Sequence, residues 1–318
     1  MKKITFVIFL SMVSLLYPVD GGKNSKYIAL TFDDLPSVNS IDNSLATRYE
    51  IVKRLSGKLK ANNLPATGFV NEVNLYVNGK PDKGLVNLLD IWLDAGIDLG
   101  NHTFSHADYN TTPFKEFTDN IRKGDIISKA VMKQHGKKLK YFRYPFLHTG
   151  KSPKDRLMLE EFLKNNGYVI APVTVDNSDW IFAAAYDKAL AAKDSALAKQ
   201  IADAFIPYME KKFDFYESCS DSLFGRQIKQ IILLHANKLN ADNITRLTDM
   251  LKNRGYSFIS VAEALKDTAY KSKDTYYKGG GISWMDRWAL TRGKRGAFFK
   301  GDPATPEFVM KAAGVTEE

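Results

Sequence analysis

The sequence is poor in cysteine and lacks the short motifs that define several large enzyme classes. Its single cysteine, Cys219, cannot form an internal disulfide, so the fold does not depend on oxidation. A G-x-S-x-G nucleophile elbow is absent, which argues against a serine hydrolase. Phosphate-loop and dinucleotide-binding glycine motifs are absent as well. The candidate chemistry must therefore come from other side chains.

The sequence also lacks an apolar run of the length typical of a membrane span. The longest run extends from Ile4 to about Tyr17, after Lys2 and Lys3. Its length, roughly 14 residues, suits the apolar centre of a signal peptide. We expect residues 1–22 to be a signal peptide, or an N-terminal anchor if they are retained, because no clear cleavage pattern follows the run. The protein is then exported to the periplasm, the cell envelope or the exterior, and it touches a membrane only through this segment.

Charged residues are frequent but are not arranged for nucleic-acid binding. The 318 residues include 45 Lys and Arg against 36 Asp and Glu, a net charge of +9. The basic residues are spread along the chain without interleaved aromatics, so we expect no nucleic-acid partner. A positive charge suits an anionic surface or polymer. The length allows one large α/β barrel or two smaller domains, and we expect a monomer.

Apolar, β-rich runs alternate with amphipathic helical segments along most of the chain. Parallel βαβ units produce this alternation, and runs that are apolar throughout indicate strands covered on both faces. Seven such runs favour an α/β barrel over an open sheet, although the periodicity is compatible with both. The predicted strands are Tyr27–Phe32, Ala66–Val70, Ile97–Leu99, Tyr141–Arg143, Tyr168–Val175, Ile231–Leu234 and Tyr256–Ser260. The predicted helices include Ser44–Asn62, Lys83–Asp94, Pro113–Gln134, Asp155–Asn166 and Asp242–Asn253.

Two regions depart from the alternating pattern. Residues 182–213 are rich in Ala and Lys, which predicts a helical insertion between the fifth and sixth strands. After residue 270 the chain carries Tyr, Trp and three consecutive glycines, and it is too aromatic for a free linker. We therefore predict a catalytic domain over residues 23–270. An aromatic C-terminal extension over residues 271–318 is predicted to pack on the barrel.

Polar clusters follow five of the predicted strands. The carboxyl ends of the strands of a parallel barrel meet at one face, where active sites are assembled. We therefore expect the clustered side chains to face a common site. The clusters are Asp33-Asp34 after strand one, Asn101–His106 after strand three, Arg143–Phe146 after strand four, Asp176–Trp180 after strand five and His235 after strand six.

Two of these clusters have the composition of a metal site. His102 and His106 are four residues apart, and a helical turn would place both imidazoles on one face. A carboxylate from strand one is a natural third ligand, and this set suits Zn²⁺, with Co²⁺, Ni²⁺ or Fe²⁺ as alternatives. Of Asp33 and Asp34, one can bind the metal and the other can act as a general base, although a turn or helix cap would also use them. His235 is either a core histidine or a general acid.

In this order, the five clusters resemble the motifs of the polysaccharide deacetylase family, the NodB-homology enzymes of carbohydrate esterase family 4. The likeness extends from about Tyr27 to Asp267 and is most specific at T-F-D-D, H-T-F-S-H and D-N-S-D-W. It implies a distorted (β/α) barrel with about seven strands. It also implies a hydrolase that uses one divalent metal to remove acetyl groups from a polysaccharide.

The resemblance implies roles for the residues around the metal. Asp34, His102 and His106 match the metal ligands of the family. Asp33 matches the general base that activates water. Arg143 matches the arginine that keeps this base ionised and oriented, because a nearby guanidinium lowers the pKa of a carboxylate and fixes its geometry.

Further matches surround the leaving group. His235 matches the general acid, and Asp179 matches the carboxylate that orients it and raises its pKa. Trp180 would form part of the wall around the acetyl group, and the backbone N–H of Phe146 would stabilise the oxyanion. His148 lies close behind in sequence and is either a substrate-contacting residue or a loop histidine.

Two positions depart from the family pattern, because Leu35 and Phe146 stand where many members have Gly and Tyr. We therefore expect an unusual substrate subsite. The leading hypothesis is an exported deacetylase of an N-acetylated or O-acetylated polysaccharide, such as peptidoglycan, a chitin-like glycan or an exopolysaccharide. The alternatives are a metal-dependent hydrolase of a small amide or imide, and a glycan-binding protein without activity.

Overall fold

The computed structural model describes residues 25–317. Its strands are β1 (Lys26–Leu35), β2 (Ala66–Val70), β3 (Tyr76–Val77), β4 (Lys80–Pro81), β5 (Asp98–Asn101), β6 (Tyr141–Phe142), β7 (Val169–Ile170), β8 (Gln230–His235) and β9 (Tyr256–Phe258). Seven of them form one parallel sheet in the order β7-β6-β5-β2-β1-β8, with β9 paired to the start of β1. A parallel bridge between Val175 and Ile232 brings the chain after β7 against β8, which curls the sheet towards closure. The predicted distorted barrel of about seven parallel strands is confirmed.

Helices cover the outside of this sheet. They are α1 (Leu45–Ala61), α2 (Lys83–Asp94), α3 (Phe114–Lys123), α4 (Ile126–Gln134), α5 (Pro153–Asn165), α6 (Asp179–Ala191), α7 (Ser195–Phe224), α8 (Lys238–Asn253), α9 (Val261–Ala264), α10 (Trp284–Thr291) and α11 (Glu307–Ala313). The predicted insertion over residues 182–213 falls in α6 and α7. None of the helices between residues 25 and 317 combines the length and apolar character that crossing a bilayer demands. The predicted signal segment, residues 1–22, lies outside the described residues.

The segment Pro113–Gln134 is two helices rather than the single one predicted. Gly124 ends α3, and its backbone lies so close to the loop that follows β5 that an added Cβ would stand 2.4 Å from the carbonyl carbon of Thr103. Only glycine permits this approach. The break therefore places the end of α3 directly against the loop that follows β5.

Core packing also fixes the turn that follows β1. The apolar face of α2 buries Leu88, Leu89 and Trp92 against the sheet, and each such side chain contributes roughly 1.5–3 kcal/mol. The indole N–H of Trp92 donates to the carbonyl of Pro36 at 3.1 Å. A core helix thus holds the chain just after Asp33 and Asp34.

The C-terminal extension packs on the barrel through a buried polar junction. The guanidinium groups of Arg156 on α5 and Arg287 on α10 both pair with Asp274, at 3.0 and 2.7 Å. Both also donate to the hydroxyl of Thr149, and the N–H of Trp284 donates to the carbonyl of Val173 at 2.7 Å. Each guanidinium thus has a carboxylate and a hydroxyl partner, so removing Asp274 would leave two buried cations without a carboxylate.

Candidate active site

Strands β1 and β8 place a carboxylate and an imidazole side by side. Their parallel register pairs Asp33 directly with His235. The next residue, Asp34, has a φ of 62°, in the left-handed region that few side chains adopt outside turns. This change in backbone direction at Asp34 lets the carboxylates of Asp33 and Asp34 reach different partners.

Asp34 meets the two histidines of the loop after β5. Its Oδ1 lies 3.8 Å from Nε2 of His102 and 3.8 Å from Nε2 of His106. The ligand atoms of these three residues all lie within 4.8 Å of one another, close enough to share one ion. Oδ1 of Asp34 is buried and has no hydrogen-bond partner among the described residues, a costly arrangement that a cation would relieve. The donor set therefore fits a divalent metal.

Both imidazoles are prepared for metal binding. Nδ1 of His102 lies 2.9 Å from the carbonyl of Arg143, so this nitrogen carries the proton and Nε2 keeps its lone pair. Burial lowers the pKa of His102 well below its ordinary value, and burial also lowers the pKa of His106. Neutral imidazole is the form that binds metals.

The loop that carries the histidines is not helical, contrary to the prediction. Thr103 and His106 have φ values of 67° and 54°. Residues of a right-handed helical turn have negative φ values, so these two residues cannot belong to one. Oδ1 of Asn101 accepts the N–H of Thr103 at 2.6 Å, and Oδ1 of Asn120 accepts the next two backbone N–H groups. The two imidazoles still meet, with ring centroids 4.8 Å apart, because side-chain amides shape the loop. The two histidines therefore lie together as predicted from their spacing, but the helical turn predicted to bring them together does not form.

Asp33 is buried beside a fully buried arginine. Nη1 of Arg143 lies 3.5 Å from Oδ2 of Asp33, and its other nitrogens donate to Thr31 Oγ1 at 3.0 Å and to the carbonyl of Ala171 at 2.7 Å. Burial raises the pKa of Asp33 to about 6, although the charges of Arg143 and His235 oppose the rise. Arg143 thus lowers the pKa of Asp33, as expected, but burial raises this pKa by more. A carboxyl with a pKa near neutrality is well suited to accept a proton.

His235 is held by a buried carboxylate. Oδ1 of Asp179 lies 2.7 Å from Nδ1 of His235, and Oδ2 accepts the backbone N–H of His235 at 2.8 Å. Burial alone would lower the pKa of His235, but the charge and hydrogen bond of Asp179 raise it to about 10. The imidazole is thus protonated near neutral pH, as a general acid must be.

The remaining predicted residues lie at the mouth of the site. Phe146 is 52% exposed, and its ring centroid stands 4.3 Å from that of His106. Trp180 is 44% exposed. Nδ1 of His148 pairs with Oδ1 of Asp108 at 2.7 Å. His148 lines the same cavity as Asp34, His102 and His106, which we call the metal triad.

One cavity of about 930 Å³ unites the site. Every predicted site residue lines it except Arg143 and Asp179, which support Asp33 and His235 from behind. Sequence reasoning missed other supporting side chains, such as Asn240, whose amide donates to Oδ2 of Asp179 at 2.6 Å. The sequence signal that could have indicated Asn240 was its position five residues after His235.

Comparison with known proteins identifies the first part of this site. Residues 20–161 match the family model of the polysaccharide deacetylases. This region belongs to the polysaccharide deacetylase family. The deacetylase region contains the metal triad, Asp33 and Arg143. Asp179 and His235 lie beyond the matched residues.

Two curated relatives have low sequence identity to this chain. A peptidoglycan-N-acetylglucosamine deacetylase of Bacillus cereus is 26% identical over 164 residues, which are 52% of this chain and 50% of that protein. A bifunctional xylanase/deacetylase of Pseudobutyrivibrio xylanivorans is 22% identical over 244 residues, 76% of this chain and 31% of that protein. The matched part of the chain thus spans half or less of the length of these relatives.

A solved structure shares the fold. A mutant of a carbohydrate esterase family 4 pseudoenzyme from Bacillus anthracis superposes with a TM-score of 0.51 at 18% sequence identity. The match covers 76% of this chain and 68% of that one. At this identity the likeness shows a common barrel fold and carries no conclusion about activity.

Proposed function

We propose that the protein is an exported, metal-dependent deacetylase that hydrolyses N-acetyl groups, or O-acetyl groups, of a polysaccharide and releases acetate. The observation that carries the proposal is the convergence of the metal triad, Asp33 and His235 in one cavity. The family of residues 20–161 supports the reaction class. The apolar run after Lys2 and Lys3 supports export, with residues 1–22 as the targeting segment of a monomer.

Asp34, His102 and His106 would hold the metal, with Zn²⁺ as the first choice and Co²⁺, Ni²⁺ or Fe²⁺ as alternatives. When bound, the cation supplies Lewis-acid polarisation of the acetyl carbonyl and lowers the pKa of water. Asp33 takes a proton from the water that attacks the acetyl carbon, while Arg143 keeps the carboxylate in place.

The other side of the site serves the leaving group. The backbone N–H of Phe146 donates to the oxyanion that develops as the acetyl carbon becomes tetrahedral. His235 then gives its Nε2 proton to the leaving nitrogen or oxygen while the carbon–heteroatom bond breaks. Asp179 holds the Nδ1 proton and thereby fixes which nitrogen faces the substrate. Trp180 and His148 line the space around the acyl group.

Acetate release from a panel of glycans tests the proposal. The full chain is assayed on N-acetylglucosamine oligomers, peptidoglycan and acetylated xylan, before and after chelation and with Zn²⁺ or Co²⁺ restored. We expect chelation to abolish release and metal to restore it. Absence of release from every glycan, with metal bound, would contradict the proposal and favour a small-amide hydrolase or a glycan-binding protein.

A further inference from the structure

A second carboxylate–histidine pair lies beside the cavity, apart from Asp179 and His235. Nδ1 of His148 stands 2.7 Å from Oδ1 of Asp108, the same separation as in the first pair. His148 lines the cavity, whereas Asp108 is not among the lining residues within residues 25–317, so the carboxylate holds the imidazole from behind. Asp108 engages Nδ1, and Nε2 is the ring nitrogen left for a ligand.

The backbone just before His148 is held in an unfavourable conformation. Phe146 and Leu147 are consecutive non-glycine residues with φ values of 55° and 54°. Residues with a Cβ rarely adopt this left-handed region, and they persist there only where surrounding contacts hold them. Such strain is concentrated at functional sites, so the turn indicates that the direction in which it sends His148 matters.

The loop that carries His148 is tied to two other segments of the chain. Asn110, in the loop after β5, accepts the N–H of Gly150 with its Oδ1 at 3.1 Å. The amide nitrogen of Asn110 donates to the carbonyl of Gly279, in the C-terminal extension, also at 3.1 Å. One side chain thus joins the loop after β5, the loop after β6 and the extension around His148.

The C-terminal extension also contacts the imidazole and its neighbour in sequence. The hydroxyl of Thr149 is buried and accepts a hydrogen bond from Arg287 of α10 at 2.6 Å. An added Cβ on Gly281 would stand 3.3 Å from Cδ2 of His148, the ring carbon bonded to Nε2. The ring is therefore fixed at Nδ1, along its Cδ2 edge and through its backbone, and such preorganisation is typical of a ligand-binding group.

Another histidine–aspartate pair of the same chain lacks this arrangement. Nε2 of His135 lies 2.9 Å from Oδ1 of Asp90, but His135 ends α4 with an ordinary φ of −87°. It is not among the described residues that line the cavity. A pair that serves stability alone can thus form without a left-handed turn before it, so the strain before His148 needs another reason.

His148 lies one side chain beyond the metal triad. The ring of Phe146 contacts both histidines, with its centroid 4.3 Å from that of His106 and 5.7 Å from that of His148. A glycan whose acetyl group meets the metal triad would extend its sugar ring over this distance. Hydroxyls are the groups that such a ring offers, and a hydroxyl both donates and accepts hydrogen bonds.

We propose, on the basis of the deacetylation proposed above, that Nε2 of His148 hydrogen-bonds to a hydroxyl of the bound glycan. Asp108 acts through His148 as a positioning residue, because it fixes the proton on Nδ1 and the direction of the ring. The pair contributes affinity for the sugar and so sets how the acetylated unit lies at the metal triad. It takes no part in the proton transfers assigned to Asp33 and His235.

The kinetics of acetate release test His148 on the glycan that the full chain cleaves fastest. We expect His148→Leu to raise KM about 10-fold and to leave kcat within about two-fold, the pattern of a hydrogen bond made equally to the substrate and the transition state. His148→Gln keeps a hydrogen-bonding group and should recover most of the affinity. An unchanged KM in His148→Leu, or no recovery in His148→Gln, would overturn the hydroxyl contact.

The matched control is His135→Leu, which breaks a histidine–aspartate pair away from the cavity and should keep the wild-type KM. Thermal melts and metal analysis establish that the variants are folded and loaded alike. A rise of KM in His135→Leu equal to that in His148→Leu would show general destabilisation and overturn the assignment.

Nitrogen-15 NMR of the five imidazoles tests the pair without turnover. The Zn²⁺-loaded full chain carrying Asp33→Asn is titrated with the N-acetylglucosamine tetramer, a soluble peptidoglycan fragment and acetylated xylotetraose. We expect at least one of these glycans to shift Nε2 of His148 and none to shift the nitrogens of His135. Adding Asp108→Asn should change the tautomer of His148 from Nδ1–H to a mixture. An Nε2 signal of His148 that no glycan moves, or a tautomer unchanged by Asp108→Asn, would overturn the proposal.

The two measurements separate this contact from the reaction itself. A glycan that shifts Nε2 of His148, with no acetate released from any glycan by the wild-type chain, would refute the deacetylase and leave the sugar contact standing. Acetate release with a KM that does not depend on His148 would refute the sugar contact and leave the deacetylase standing.

Discussion

The two walls of the cavity are built from different parts of the chain. The metal wall consists of Asp33, Asp34, His102 and His106, which lie at strand ends inside the region that matches the deacetylase family. Other carboxylates that line the cavity lie outside that region, namely Asp176, Asp187, Asp286 and Asp302. Strand β1 thus holds Asp33 and Asp34, and the loop after β5 holds His102 and His106, whereas Asp187 and Asp286 lie on helices α6 and α10. Side chains carried by different elements can change independently of one another.

The largest expected effects lie in the metal wall and separate its two adjacent carboxylates. Asp34→Asn should lose both metal and activity, because it weakens one of three ligands. Asp33→Asn should keep the metal but lower kcat/KM by about 10²–10⁴-fold, the usual contribution of a general base. Metal analysis and acetate release on both variants check this contrast. Loss of metal from Asp33→Asn would make Asp33 a ligand instead.

The next largest effect is expected from the hydrogen-bonded pair of Asp179 and His235. Asp179→Asn removes the charge that raises the pKa of His235, so the protonated acid should disappear at lower pH. The alkaline limb of the kcat/KM profile should move to lower pH, and the maximum should fall about 100-fold. Because this pKa is raised by folding, the pair stabilises the protein fully below the unfolded value of about 6.5, and the contribution declines as pH rises towards about 10.

Urea unfolding across this pH range tests the same pair without a substrate. Wild type should lose stability between these two pH values, and Asp179→Asn should lose less. An alkaline limb that stays in place in Asp179→Asn would show that His235 is not the group that titrates there.

A smaller effect is expected where the C-terminal extension meets the metal wall. An added Cβ on Gly281 would stand 1.8 Å from the carbonyl oxygen of Phe146, whose ring packs on His106. Gly281→Ala should therefore push the extension away, cost roughly 1–3 kcal/mol of stability and lower kcat/KM about 10-fold. Gly279→Ala is the matched control, because an added Cβ there would meet only Lys151 Cε, at 3.9 Å. Equal melting temperatures and equal kcat/KM values for the two variants would show that the contact of the extension with Phe146 does not affect the site.

The main strands, and the polar clusters that line one cavity, could be located in the sequence because their signals are local. A continuous apolar run marks a strand covered on both faces, and a polar cluster at its end marks the active face of a parallel barrel. Predictions that depended on local backbone shape fared worse. His102 and His106 meet through a loop with left-handed residues, and Gly124 divides a predicted helix, because contacts from distant side chains and backbone decide both.

The sequence by itself determined which kinds of side chain stand at the strand ends, and the order of those strands along the chain. Only the tertiary structure decided how strongly each group is buried, which raises the pKa of Asp33 to about 6 despite the nearby Arg143. It also decided that Asp187 and Asp286 share a cavity with Asp34, His102 and His106, although both aspartates follow His106 by about 80 residues or more. Burial and long-range proximity depend on the whole packed chain, so no local pattern encodes them.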